Sequence, residues 1–175
     1  VGTIWAPFFH AYGYYLPTSN VPLRDQDHIN KELKEQSLNS LHATGIQLML
    51  LWLALGGNRA LIGLIGGILF AEMESGFAYW DGHVTFGSSH VIGHSIGYGL
   101  VSMMLQKKLT IWMLPFLIFT TPLFYDFVTK WKRAGFKVVG PGRDAPYRRV
   151  DHLAHIGGIV AGAITALLTK NKRLL

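Results

Sequence analysis

The chain contains no cysteine in its 175 residues, which excludes a disulfide framework, a thiolate zinc site and a cysteine nucleophile. Charge is scarce too. Asp, Glu, Lys and Arg make up 15% of the residues, and they nearly vanish from five apolar blocks at 45–56, 60–71, 91–105, 109–128 and 156–168. That scarcity excludes the apolar stripe with an opposite charged face that marks a surface helix. Acidic residues are the rarer sign, 10 against 16 basic, for a formal net charge of +6. Such a balance is one mark of a nucleic-acid binder. Here, however, Lys107, Lys108, Lys130, Lys132, Arg133, Arg148, Arg149, Lys170, Lys172 and Arg173 border the apolar blocks, where lipid phosphates would lie. No nucleic acid is expected as a partner.

Half of the residues are hydrophobic, and helices apolar on every side fit lipid. The expected fold is therefore all-α: a polytopic membrane helical bundle of about five spans with an interfacial N-terminal segment. The spans fall at about 41–57, 60–73, 85–105, 109–128 and 150–169. Residues 1–40 read as a peripheral arm, with Trp5, Phe8, Phe9, Tyr12, Tyr14 and Tyr15 interrupted by Pro7 and Gly13. Residues 41–169 form the bundle, and 170–175 a basic tail. Gly56-Gly57-Asn58 closes the first span with C-cap chemistry, and residues 75–84 and 129–149 read as loops. Gly63, Gly66, Gly67, Gly93, Gly97, Gly158 and Gly162 permit close helix approach. Seven basic residues in 129–149 face five on the other side, too even a split to orient the chain.

Polar residues inside apolar spans are the default functional candidates. If each block crosses once, His42, Ser88, Ser89, His90, His94, Asp151, His152 and His155 converge at one depth, on three helices. Two chemistries can use that set. One is hydrolysis by a serine that a histidine activates, with donors nearby for the oxyanion. The other is metal or haem binding by His90, His94, His152 and His155, since 90/94 and 152/155 each share a helix face. Asp151 would then serve as an acidic outer partner. A third reading needs no chemistry, because Ser and His also hydrogen-bond across glycine-lined contacts in such helices.

The stretch Asp151-His152-Leu153-Ala154-His155-Ile156-Gly157-Gly158-Ile159-Val160-Ala161-Gly162 resembles the last core helix of the rhomboid intramembrane proteases. In that family an Ala-His-x-x-Gly-x-x-x-Gly pattern carries the catalytic histidine. Gly87-Ser88-Ser89-His90 is similar to the Gly-x-Ser-Gly motif that opens their nucleophile helix, with one helix between it and the histidine helix. The resemblance covers roughly 40–170 and implies Ser89 as nucleophile, His155 as base, His42 as oxyanion donor, and Gly158 and Gly162 as the packing face. It implies no cofactor and no metal. The sequence also departs from the pattern. His90 replaces the motif's last glycine, and a second frame at Gly93-His94-Ser95-Ile96 lacks it too. His42 is followed by Ile46 where the family has Asn, with Gln47 one place late. The family's first helix and its Trp/Arg-bearing loop are not evident.

These departures point to a degenerate, pseudoprotease member: a structural or accessory subunit of a larger membrane complex. Its expected partners are other membrane subunits, and anionic lipid at the basic loops. An active intramembrane serine protease is the alternative, and a membrane protein binding metal or haem through His90, His94, His152 and His155 is a second. A chain that begins at Val1, basic and without cysteine, fits mitochondrial import and processing and equally a trimmed bacterial or secretory-pathway protein; the expected location is the mitochondrial inner membrane.

Overall fold

The computed structural model describes residues 38, 41–80, 89–106, 110–133, 135–136, 139–141 and 149–170, with backbone alone at 75–80, 139–141 and 149–154. The expected arm at 1–40, save Leu38, and the tail beyond 170 lie outside the described residues, as do Gly87 and Ser88. Among the described residues five helices follow in order: α1 over 41–55, α2 Gly57–Trp80, α3 Ser89–Leu105, α4 Met113–Arg133 and α5 His152–Thr169. Strands β1 Val139–Pro141 and β2 Arg149–Asp151 pair antiparallel, with Gly140 opposite Val150.

The five blocks correspond to the five helices, but the membrane reading of them is overturned. Among the described residues no helix is long and apolar enough to cross a membrane. The physical reasons differ by helix, against a hydrocarbon core of ~30 Å that needs ~20 apolar residues. In α2 the uncharged run is closed by Arg59 and Glu72, leaving about 18 Å. The 17 residues of α3 span about 25 Å. Pro122 lies within α4, and Asp126, Lys130, Lys132 and Arg133 occupy its second half. The 18 residues of α5 reach about 27 Å from a first turn that carries two histidines. The polytopic membrane bundle, its transmembrane helices and the placement in the mitochondrial inner membrane are corrected accordingly. Two boundaries also move. Helix α2 runs through the expected loop at 75–84 as far as Trp80, and the expected loop at 129–149 contains the end of α4, all of β1 and the first residue of β2.

The helix ends follow local chemistry. Gly56 adopts φ +86°, which costs glycine nothing, and its N–H bonds the Trp52 carbonyl as α1 closes. At the end of α4, Gly135 N–H donates to Lys132 and Phe136 N–H to Trp131. Both Gly135 and Phe136 have positive φ, and the Phe136 ring meets Trp131 edge-on at 5.1 Å. That is a Schellman ending with its hydrophobic contact.

Helix α3 is the centre of the molecule: every residue from His90 to Gly99 is buried. Its neighbours turn small residues toward it. The inward stripe of α2 is Ala60, Gly63, Gly67 and Ala71, and that of α5 is Gly158, Gly162 and Ala166. Large side chains point the other way, with Leu61, Ile65, Leu69 and Met73 exposed on α2 and Val160, Ile164 and Leu168 on α5. The main apolar core gathers Leu50, Leu51, Ala54, Tyr98, Met103 and Phe116, and a second cluster joins Ile92, Ile96 and Phe127.

Candidate functional site

Two helices set the site through their glycines. Helices α3 and α5 run parallel with backbones in contact. A methyl group on Gly93 would stand 2.7 Å from the His155 carbonyl oxygen, and one on Gly158 would stand 3.0 Å from that of His90. Methyls on Gly97 and Gly162 would overlap the carbonyls of Ile159 and His94. Spacings of four on both helices keep these glycines on one face each, so the two helices can dock in one register. One turn before Gly93 on that face comes Ser89; one turn before Gly158 comes His155. The register therefore brings the two side chains together.

Ser89 Oγ lies 3.0 Å from His155 Nε2, within reach of proton transfer. Both residues are half-buried. The imidazole of His155 stacks on Phe127 of α4, centroids 4.4 Å apart and planes 12° from parallel. His90 approaches it edge-on at 6.3 Å and 62°. His90, 3% exposed, places Nδ1 3.4 Å from Glu74 Oε2. Ser89 is also the first residue of α3.

The other candidates are placed differently. His42 is exposed on α1, whereas Thr44, Gln47 and Leu51 of the same helix are buried. Its position lies about 160° around the helix from Thr44, on the outward face. Gln47 is committed to α4: its Nε2 donates to Thr120 Oγ1 at 3.1 Å, inside the core. Ser95, the second-frame serine, is 1% exposed and donates to the Ile92 carbonyl. His94 sits a turn deeper than His90, with Nε2 3.2 Å from Thr165 Oγ1. Thr165 gives its own proton to the Ala161 carbonyl, so His94 Nε2–H is the donor. Burial drives the His94 pKa down to about 4, slightly offset by the Gly63 backbone. Gly66 makes room for this ring, since a methyl there would stand 2.7 Å from it.

Among the described residues no group of three or more His, Asp or Glu side chains could hold a metal ion. His90, His94 and His155 thus serve separate contacts, with Glu74, Thr165 and Ser89, and the side chain of His152 lies outside the described residues. Phe127 and Glu74 are the site residues that sequence reasoning missed. Phe127 lay unmarked inside an apolar block. Glu74 had a signal: it continues the inward stripe 60, 63, 67, 71 of α2 by one further turn.

Protein-family models, characterised proteins and solved structures offer no match to this chain. The resemblance to rhomboid proteases therefore rests on the motif residues at 87–90 and 151–162.

Proposed function

We propose that the chain is a serine hydrolase acting on carbonyl substrates through a Ser89–His155 dyad, with peptide bonds as the substrate class that the motif resemblance favours. The observation that carries this reading is the 3.0 Å contact between Ser89 Oγ and His155 Nε2, across 66 residues of sequence. Ser89 Oγ attacks the carbonyl carbon while its proton passes to His155 Nε2, and the carbonyl electron pair moves onto oxygen. A backbone N–H of α3 would supply the hydrogen bond that stabilises this oxygen. On collapse the bond to the leaving group breaks, and His155 returns the proton to it. Water then repeats the sequence on the acyl-serine, with its proton passing through His155, and releases the acid. Stacking on Phe127 limits rotation of the imidazole, the orienting task that a third group performs in triads. An activated ester should give a burst of one equivalent, with the acyl group mapped to Ser89 by mass. A burst that persists in Ser89→Ala contradicts this assignment.

A second reading, a subunit of a larger assembly with the chemistry silent, is favoured by the outward faces. Leu61, Ile65, Leu69 and Met73 form one exposed apolar row, and Ile111, Leu114 and Ile118 continue the pattern around α4. Contiguous apolar surface of this kind marks interaction sites. On this reading Ser89→Ala leaves the assembled fraction unchanged, whereas Gly158→Leu lowers it. Loss of assembly in the serine variant alone counts against it.

A further inference from the structure

We infer that Glu74 and His90 form a positioning pair for the dyad, a role that rests on the hydrolase reading above. Three observations converge. First, Glu74 sits at the end of the small inward stripe of α2, its side chain 11% exposed, and meets His90 Nδ1 at 3.4 Å. A buried carboxylate–imidazole pair costs desolvation that its attraction only partly offsets. It adds little stability to a helix contact that α2 makes elsewhere with glycine and alanine. Second, His90 does not stop at Glu74: its ring meets the His155 ring edge-on. His155 is thereby bounded by Phe127 on α4 and by His90 on α3. Third, His90 follows Ser89 directly in the chain, so anchoring its side chain to α2 also anchors the first turn of α3, from which Ser89 Oγ projects. The carboxylate thus acts at one remove. With Nδ1–H of His90 committed to it, the plane of His90 is fixed, and the edge that His155 rests against is fixed with it. The residue that departs from the Gly-x-Ser-Gly pattern becomes, on this view, the support of the site.

The test is the saturation kinetics of a fluorophosphonate probe on the full chain, comparing wild type with Glu74→Gln, His90→Phe and the double variant. Glu74→Gln keeps the size of the side chain and removes its charge; His90→Phe keeps the ring and removes Nδ1. Each should slow the bound-state labelling step roughly tenfold or more, as misplacement of reacting groups does, while the half-saturating probe concentration stays unchanged. Because Glu74 acts through His90, the double variant should be no slower than His90→Phe alone. Additive losses, or a change confined to probe affinity, overturn the inference. Equal labelling of wild type and all variants overturns the pair and leaves the dyad standing. Absence of wild-type labelling removes the dyad, and the pair's role with it.

Discussion

At the scale of single residues, the imidazoles divide by environment rather than by sequence position. His155 faces Ser89 across 3.0 Å with Phe127 against its ring. Replacing it by Asn should slow any acylation of Ser89 by roughly 10²–10⁴-fold, the usual share of a positioned general base. His94, one helical turn inward from His90, is instead held neutral by burial, its pKa lowered from 6.5 to about 4. The sign follows from linkage. Above pH 6.5 both folded and unfolded chains carry this histidine neutral. Between 6.5 and about 4 the unfolded chain takes up the proton and the folded one does not, so stability is lost as the pH falls through this window. The loss amounts to roughly 3 kcal/mol. Denaturant unfolding of His94→Gln across that range should show a correspondingly shallower slope than wild type; equal slopes would mean that His94 is not buried in the neutral form.

Among elements, the contact of α3 with α5 decides whether a site exists. Gly97 and Gly162 are backbone contacts, since a methyl on either overlaps a carbonyl across the interface. Gly97→Ala should therefore destabilise by about 2–4 kcal/mol despite the better helix propensity of alanine, because two packed backbones must separate. Gly45 is the internal control. Nothing lies within 4 Å of a methyl placed there, so Gly45→Ala should stabilise α1 by about 0.5–1 kcal/mol. Thermal unfolding of the two variants should move in opposite directions. A third contact joins α1 to α4 through Gln47 and Thr120, which exchange hydrogen bonds in the core. Thr120→Val alone strands the Gln47 amide and should cost about 1–3 kcal/mol. Adding Gln47→Leu should restore much of it, and the double-variant cycle reads that coupling.

How far these elements were legible follows from what each contact needs. The parallel register of Ser89 with His155 could be read because glycine spacing and the two motifs lie on helices that start at one end. The close of α1 at Gly56 was legible because a left-handed residue there needs glycine. The continuation of α2 to Trp80 was not, because Glu72 and Glu74 look like a wet helix end until the partner of Glu74 is seen. Once Glu74 is paired with His90, the charge belongs to the inward face and no longer signals an exit. Phe127 stacking on His155 depends on where α4 lies against α5, and no local pattern carries that. The outward placement of His42 has the same origin: its face is set by the burial of Thr44, Gln47 and Leu51.

For the whole molecule, the corrected expectation and the observed surface belong together. The apolar blocks were read as membrane spans because they lack charge along their length. Among the described residues the helices they form are too short, or too interrupted by charge, to cross a bilayer. Their apolar side chains are nevertheless distributed with small residues inward and large ones outward, so hydrophobicity by itself did not report which face is the core. Substituting Leu61, Ile65 and Leu69 together by Gln should leave the fold intact, since the inward face of α2 is untouched, while lowering any association that the row supports. Native mass measurement of the purified protein reads both.

The most direct test of the central claim is covalent labelling of the intact protein with a fluorophosphonate, run beside Ser89→Ala and His155→Ala. The account predicts one adduct per chain, located on Ser89, absent in the serine variant and strongly slowed in the histidine variant. An unlabelled wild-type protein, or an adduct that survives both substitutions, would contradict it.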